Sequence, residues 1–522
     1  MATSELPFDV TEAEVEEKAK LQRHFGRFDI LFFLVCTIVG VDTIGTVAAK
    51  GGVAFTWIIV LAAVFFIPSA LLFAELGTAF PEEGGPYLWT RLAFGHLVGA
   101  VNNFLYWVTN PVWLGGTLAV LASTTVAKFF TSSESLPTVW FYVFTLAFVW
   151  VGVLSAILSF RVGKWVPTVG AWSRFVLLGF FTISVVVYAA EHGFHGIGGG
   201  DFNPFGGGTT AFWAGFLTLL PVLLFNFVGF ELPSSAGDEM TDPQKDIPYG
   251  IARSAVLSVL LYGLPILGVL IVLPTDQVTG LGGFIDAIKA VFTVYGGSVT
   301  KDGTTLSGAG LVLGDAAAIL FILSLLSSGV TWIMGSDRAL AVSGFEGGAP
   351  RALGVISTKY GTPVRVNLLS GIVATAVLVA AHEITGGNAQ KFFTAVLGLA
   401  VSTTLMSYLG IFPALVQLRR RLPAVARPYR SPAAGFLSGW LTLLILLATV
   451  QLLAPGLGLD WFGADFRPMG WEAGEHWTYL ATELVPLVVF VALGVLFWAL
   501  GKPTREHIAR RADVSAQETP AT

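Results

Sequence analysis

Long apolar stretches, separated by short polar segments, dominate the pattern of this chain. Each stretch is close to the roughly 20 residues that a helix needs to cross the hydrocarbon core of a membrane. The connecting segments are too short for a soluble domain. The pattern predicts twelve membrane-spanning helices, at about 29–49, 54–79, 96–129, 138–160, 166–190, 210–235, 249–274, 309–334, 365–383, 391–417, 434–454 and 480–501.

Two of these spans carry residues that a simple membrane anchor would avoid. A carboxylate costs roughly 2.5–3.5 kcal/mol at the bilayer centre, and Gly and Pro loosen backbone hydrogen bonding that lipid cannot replace. Two interrupted spans at matching positions are typical of the substrate site of a transporter. We therefore predict discontinuous helices in the first span, at Gly40, Asp42 and Gly45, and in the sixth, at Asn226, Gly229, Glu231 and Pro233.

Composition and charge agree with a membrane protein. Of the 522 residues 54% are hydrophobic and 12% charged, against about 25% charged in a soluble domain. With twelve spans, 22 of the 29 Lys and Arg residues lie on the side of the termini, six lie opposite and Arg174 lies within a span. Positive charge accumulates on the cytoplasmic side. Both termini are therefore expected in the cytoplasm, and the protein in the plasma (cell inner) membrane.

The N-terminal tail and the single cysteine add two smaller expectations. Thr11 and Glu14 are spaced as a capping box, and no leader sequence precedes the first span, so the tail should begin a helix and stay in the cytoplasm. Cys36 is the only cysteine. A single cysteine excludes an intrachain disulfide and a cysteine-based metal site.

An odd number of spans in a repeated unit would invert the second copy in the membrane. If five spans form each unit, the two interrupted spans, first and sixth, become equivalents. The segment after span 7 then corresponds to the segment after span 2. Apolar residues in it fall at helical spacing and predict a short amphipathic helix over the outer vestibule: Phe284, Ile285, Ile288, Val291 and Phe292. The predicted organisation is a cytoplasmic tail at 1–27, inverted repeats at 28–190 and 210–418, two further helices at 434–501 and a cytoplasmic tail at 502–522.

Four segments carry a resemblance to a known family. They are Gly40-Val41-Asp42, AELGTAFPEEGGPYLW after span 2, FNFVGFELPSSAGDEMTDPQKDIPYGI at span 6 and GSDRALAVSGFEGGAPRALGVISTKYGTPVRVN after span 8. In this order, over residues 27–420, the chain resembles the amino acid, polyamine and organocation (APC) transporters. The resemblance implies an all-α, five-plus-five inverted-repeat fold like that of the leucine transporter, alternating access, and amino acids or amines as substrates.

The resemblance also implies where the substrate binds. In the family, free N–H groups of the span 1 break meet the substrate carboxylate, and carbonyl groups of the span 6 break meet its ammonium group. Phe230 is expected in the aromatic wall, where Trp113 is a further candidate. Carried over, the carboxylate site is Val39, Gly40, Val41, Asp42 and Thr43, and the ammonium site is Asn226, Phe227, Val228 and Gly229.

Asp42 departs from the family pattern, which commonly has a second glycine at this position. A carboxylate here repels a substrate carboxylate and favours a cationic group. Asp42 could pair with a substrate amine, carry the coupling proton, or cap the free N–H groups of the break. Glu231 is a second candidate for substrate binding or coupling. For Glu75, near the inner end of span 2, a fold-stabilising role is equally open.

Arg174 lies roughly eight residues into span 5, or about 12 Å by helical rise. Proton-coupled relatives place a cationic side chain near here, where sodium-coupled ones hold an ion between spans 1 and 8. Ser327 and Ser328 would be its span 8 partners. Because arginine keeps its proton, proton coupling would need Asp42, Glu231 or Glu75. A purely structural pairing of Arg174 is the alternative.

Most other classes of function find no support in the sequence. It contains no His-Glu-x-x-His, Gly-x-Ser-x-Gly or Walker motif, although an aspartyl protease pair stays open. We expect no cofactor, metal or nucleic acid. The expected partners are an amino acid or small amine, protons and membrane lipids, with possible lipid contact at Arg419, Arg420 and Arg421.

The favoured function is a secondary transporter of an amino acid or small amine, driven by protons or exchange rather than sodium. One alternative is a polyamine or other organic-amine transporter in which Asp42 binds the ammonium group. Another is a nutrient sensor of the same fold that binds without transporting. The sequence leaves the oligomeric state open.

Overall fold

The computed structural model describes residues 26–131, 133–162, 165–194, 199–206, 208–300, 303–453 and 470–518. Most of these residues lie in helices. The predicted capping box at Thr11 lies outside these residues. The α-helices are α1 Arg27–Ile38, α2 Ile44–Ala48, α3 Gly52–Ala79, α4 Gly85–Phe94, α5 His96–Phe130, α6 Thr138–Val162, α7 Trp165–His192, α8 Gly208–Asn226, α9 Pro243–Val272, α10 Gly283–Phe292, α11 Gly308–Phe345, α12 Val364–Ile384, α13 Ala389–Arg421, α14 Ala434–Leu453, α15 His476–Leu500 and α16 Lys502–Glu518.

Local irregularities follow the sequence. A π-helical turn occurs at Ala62–Phe66 in α3 and another at Leu114–Leu118 in α5, just after Pro111. Proline removes a backbone donor and displaces the preceding turn, which fits the first bulge because Pro68 lies two residues after it. A short antiparallel hairpin, β1 Gly297–Thr300 and β2 Gly303–Leu306, precedes α11 and was not predicted.

Eleven helices within the described ranges are long and apolar enough to cross a membrane, when α1 and α2 are taken together. In the predicted sixth span the apolar helix α8 ends at Asn226, where the predicted interruption begins. The prediction of an all-α membrane protein is confirmed. The count of twelve spans stays a prediction.

The largest boundary difference concerns span 8. Its helix, α11, continues to Phe345, whereas the apolar pattern predicted an end at 334. The extension holds Arg338, which is 1% exposed and lies 2.9 Å from a carboxylate oxygen of Glu239 and 3.6 Å from one of Glu83. A charge that is buried and paired does not need to leave the protein. Hydropathy therefore placed the helix end too early.

Both predicted helix interruptions are present. The first span breaks at Val39 and Gly40, where the backbone leaves the helical conformation, and resumes through a 3₁₀ turn at Val41–Thr43. In the sixth span, Gly229 has a φ of 124° and is followed by a 3₁₀ helix at Leu232–Glu239. A side chain at Gly229 would be strained, and its Cβ would lie 2.5 Å from the Thr37 side chain. The backbone at Gly229 therefore requires glycine.

The predicted amphipathic helix is also present, as α10. Its five apolar residues, predicted at helical spacing, are at most 3% exposed. It packs against α2, α7, α9 and α11. Lys128 at the end of α5 holds it by an ion pair of 2.8 Å with Asp286. Its position over the outer vestibule stays a prediction.

Glu75 is held by hydrogen bonds and ion pairs within the protein, which fits a fold-stabilising role. It is fully buried, and its carboxylate accepts hydrogen bonds from Arg419 Nε at 2.8 Å and from the Ser431 amide at 2.7 Å. Arg427 lies 3.4 Å away. These contacts join α3 to the segment after α13, so Arg419 is engaged within the protein, whereas Arg420 and Arg421 are exposed.

The environment of Glu75 predicts the effect of removing its charge. We expect Glu75→Gln to lower the free energy of unfolding by about 3 kcal/mol, because Arg419 then lies beside a neutral group. Thermal unfolding of the purified full-length protein in detergent measures the change. The control is Arg420→Gln, an exposed residue of the same helix end, for which we expect no change. Equal stability of the two variants would contradict the structural role of Glu75.

Candidate substrate-binding site

The two helix interruptions are joined by a chain of side-chain hydrogen bonds. Thr43 Oγ1 donates to Asn226 Oδ1 at 2.8 Å, which links the span 1 break to the end of α8. The Tyr262 hydroxyl of α9 hydrogen-bonds to the same Thr43 oxygen. All three residues are at most 5% exposed. The contacts bring the predicted carboxylate and ammonium segments together around one buried polar cluster.

Asp42 lies in the 3₁₀ turn of the span 1 break and is 2% exposed. Its Oδ2 atom accepts a hydrogen bond from Trp113 Nε1 of α5 at 2.8 Å. Its Oδ1 atom is buried and accepts none within the part of the chain that the structure describes. An acceptor without a donor at such depth costs about 1–3 kcal/mol. Asp42 therefore presents an open acceptor.

Aromatic rings surround this part of the site. Trp113 meets Trp332 of α11 edge to face at 6.5 Å between ring centroids, and Phe225 at 6.1 Å. Trp332 Nε1 donates to the Thr37 carbonyl oxygen at 2.9 Å, at the end of the first half of span 1. The expected wall residue Trp113 thus acts in two ways, as a hydrogen-bond donor to Asp42 and as an aromatic surface.

Phe227 and Phe230 have a common partner. Both rings stack on Phe66 of α3, at centroid distances of 4.8 and 4.6 Å. Val228, between them, is 3% exposed. These contacts anchor the extended segment of span 6 to α3.

Both carboxylate oxygens of Glu231 accept hydrogen bonds, in contrast to those of Asp42. Its Oε1 accepts from the Tyr106 hydroxyl at 3.1 Å, and its Oε2 accepts from the Gly229 amide at 3.1 Å. The same amide also lies 3.2 Å from the Tyr408 hydroxyl oxygen of α13. Both carboxylate oxygens are therefore satisfied, and Glu231 links the span 6 break to α5.

Arg174 is fully buried and joins α7, the span 1 break and α11. Its Nε donates to the Val39 carbonyl oxygen at 2.9 Å, an acceptor that the helix break leaves free. The predicted partners in span 8 are in contact: Nη1 donates to Ser327 Oγ at 2.8 Å, and Nη2 to Ser328 Oγ. Further donations reach the carbonyl oxygens of Gly170, at 2.9 Å, and Ser324, at 2.7 Å.

Four residues of the site were not predicted: Tyr106, Tyr262, Trp332 and Tyr408. Each lies in an apolar span, where an aromatic residue carries no signal beyond packing. Asp337, a buried carboxylate outside the site, can be compared with Asp42. Its carboxylate accepts from Trp107, Asn367 and Ser370 at 2.6–2.9 Å. A carboxylate with three donors fits a structural role, which distinguishes it from Asp42.

Interrupted helices that meet around a buried polar cluster define a class of protein, the secondary transporters. The comparison of families agrees with this class. The amino acid permease family model matches residues 25–462, and the chain belongs to that family. The resemblance to the APC transporters is thereby confirmed. The protein is a multi-pass membrane transporter of amino acids or amines and not an enzyme.

Three relatives indicate the range of the family. The chain is 27% identical to a probable agmatine/putrescine antiporter, AguD, of Lactococcus lactis, with 90% of this chain and 94% of the relative covered. It is 27% identical to an uncharacterized transporter of Legionella pneumophila, with coverage of 82% and 89%. It is 24% identical to the branched-chain amino acid permease BcaP of Bacillus subtilis, with coverage of 85% and 91%.

The contacts of Arg174 predict that lysine cannot replace it. Lysine presents one ammonium group in place of a planar fork and cannot reach Val39, Ser324 and Ser327 together. We expect Arg174→Lys to lower the free energy of unfolding by about 2–4 kcal/mol, since hydrogen bonds to a charged group contribute about 1.5–3 kcal/mol each. Thermal unfolding in detergent tests this. Arg351→Lys, at an exposed arginine, should leave stability unchanged; a stable Arg174→Lys protein would contradict the bridging role.

Proposed function

We propose that the protein is a secondary transporter that carries a small organic amine across the plasma membrane by alternating access, with Asp42 binding the ammonium group of the substrate. The observation that carries the proposal is the open Oδ1 acceptor of Asp42, buried beside the Trp113 indole. An ammonium group supplies both the missing donor and the opposite charge. The surrounding indole and phenyl rings attract a cation through their faces.

The location of Asp42 favours a substrate that presents an amine to this part of the site over one that presents a negatively charged group. A substrate carboxylate placed against Asp42 would meet strong repulsion in a water-poor site. The probable agmatine/putrescine antiporter among the relatives favours the same class of substrate.

A neutral amino acid is the second candidate. Asn226 Nδ2 is buried and donates no hydrogen bond within the described residues. This free donor would suit a substrate carboxylate, and the branched-chain permease relative favours that class. In this case the ammonium group of the amino acid would bind to Asp42, and its carboxylate would lie toward Asn226.

Protons or substrate exchange would supply the driving force. The guanidinium group of Arg174 lies between the Val39 carbonyl and Ser327 and Ser328. It fills the position that a sodium ion would take and supplies the positive charge there. Because arginine stays protonated, Asp42 and Glu231 are the proposed coupling residues. The charge distribution supports a cytoplasmic location of both termini. The inverted repeats of 28–190 and 210–418 would supply the moving units.

Uptake into proteoliposomes tests the function directly. The substrates to compare are putrescine, agmatine, 4-aminobutyrate, glutamate and leucine. We expect uptake of at least one amine, driven by a proton gradient or by the same amine inside. Preference for leucine over every amine would favour the second candidate. Binding without flux of any of the five would indicate a sensor.

The charge of Asp42 is the first specific target. We expect Asp42→Asn to weaken binding of the preferred amine by about 2 kcal/mol, or roughly thirtyfold, because a desolvated charge partner is lost. Isothermal titration in detergent measures the affinity. The control, Asp276→Asn, removes an exposed carboxylate from a loop and should bind as the wild type does. Unchanged affinity of the Asp42 variant would remove this residue from the site.

Sodium dependence gives an independent test of the position of Arg174. We expect the same uptake rate when choline or potassium replaces sodium at constant ionic strength, since the guanidinium group supplies the positive charge between the span 1 break and α11. Matched proteoliposomes in the three salts provide the measurement. Strong stimulation by sodium alone would overturn the assignment of Arg174.

A further inference from the structure

A polar cavity is lined by residues that belong to neither of the broken helices. It has a volume of about 410 Å³ and is formed by the end of α5, the start of α6, the end of α12 and the start of α13. These helix ends lie opposite to the side on which α1 begins. By the distribution of Lys and Arg, this is the outer side. None of the residues of the candidate substrate site lines this cavity.

Two hydroxyl groups in its wall already donate within their own helix and have lone pairs available to a ligand. Ser123 Oγ and Thr124 Oγ1 both donate to the Val120 carbonyl oxygen, at 2.8 and 3.0 Å. A hydroxyl group has one proton and two lone pairs. Since both protons are used within the helix, the wall offers lone pairs to the cavity.

One carboxylate is part of the described lining of the cavity. Glu383 lines it, and one of its carboxylate oxygens accepts a hydrogen bond from the Tyr142 hydroxyl at 2.9 Å. This bond orients the side chain and leaves the second oxygen available. The described lining residues include no Lys or Arg that could neutralise Glu383. A ligand of positive charge is therefore favoured over an anion.

Aromatic groups complete the wall. His382 stacks on the ring of Phe141 at 4.6 Å, and it meets Tyr142 edge to face at 4.9 Å. These contacts hold the part of the wall next to Glu383 in place. Phe392, which α13 contributes to the lining, adds an apolar ring that suits the carbon chain or the positive charge of an organic cation.

We propose that this cavity binds a primary ammonium group, either of a free amine in the outer solution or of an ethanolamine head group in the membrane. The ammonium group would donate to Glu383 and to the lone pairs of Ser123 and Thr124, and it would lie against Phe392. A single carboxylate with hydroxyl acceptors and aromatic neighbours suits an organic cation better than a metal ion, which requires more charged oxygen ligands. The proposal does not depend on the function of Asp42.

A thiol placed in the cavity provides a direct test. Ser135 lines the cavity and is exposed, whereas the one native cysteine, Cys36, is buried. In full-length Ser135→Cys protein that also carries Glu134→Gln, which removes the exposed carboxylate next to the thiol, we expect a cationic methanethiosulfonate reagent to react about fivefold faster in detergent than an anionic one of similar size, as expected for the one remaining carboxylate nearby, Glu383. Butylamine should slow the reaction with the cationic reagent in a saturable manner.

Matched variants separate the cavity from other causes. Glu383→Gln in the same background should abolish the preference for the cationic reagent and the protection by butylamine. Glu191→Gln, at an exposed carboxylate outside the cavity, should keep both, and so should Asp42→Asn. Protection that survives Glu383→Gln, or that Asp42→Asn removes, would overturn the proposal. Absence of both charge preference and protection in the parent protein would overturn it as well.

Lipid composition distinguishes the two sources of the ammonium group. The labelling is repeated in nanodiscs of phosphatidylglycerol, with and without added phosphatidylethanolamine. If a lipid head group is the ligand, phosphatidylethanolamine alone slows labelling and Glu383→Gln relieves the effect. If a free amine is the ligand, only butylamine protects. Protection by neither agent in both nanodiscs would contradict the site.

Discussion

The structure depends on how it satisfies backbone groups that two broken helices leave free within the membrane. A hydrocarbon environment offers no water to replace a lost helical hydrogen bond. Side chains from other helices take over this role. The guanidinium group of Arg174 binds the Val39 carbonyl oxygen, and the carboxylate of Glu231 binds the Gly229 amide. Each interruption is thus held by a charged group of complementary type.

This solution makes the two buried carboxylates unequal. Glu231 accepts two hydrogen bonds, and these contacts stabilise the span 6 break. Asp42 has a donor on one oxygen only. A group whose hydrogen bonds are complete favours the present geometry, whereas an incomplete one gains energy from a ligand. The difference explains why Asp42 is the better candidate for direct recognition and Glu231 for a link between binding and helix position.

Buried ion pairs connect helical segments that are distant in the chain. Arg338 joins α11 to Glu239 beyond the span 6 break, and Glu75 joins α3 to Arg419 at the end of α13. Buried ion pairs of this kind are costly to separate singly. Helices that they connect are therefore expected to move together, and motion should concentrate at the breaks, where the backbone is not helical.

Much of the fold and part of the site could be predicted from the chain alone. Apolar length located the spans, and Gly40, Asp42, Gly229 and Glu231 marked the interruptions, because such residues are too costly in lipid to occur without a purpose. The end of α11 was predicted too early, since a hydropathy pattern cannot show that Arg338 is paired. The resemblance to a family of known fold placed Arg174 near Ser327 and Ser328.

Only the tertiary structure decided the hydrogen-bonding state of each group. The bond between Tyr106 and Glu231 spans 125 positions of the chain, that between Thr43 and Asn226 spans 183, and that between Thr43 and Tyr262 spans 219. An aromatic residue in an apolar span looks the same in sequence whether it packs against lipid or donates to a carboxylate. Sequence thus determined which costly residues enter the membrane, because their cost is local. Their partners were decided by folding, since the helices that meet at the site are distant in the chain.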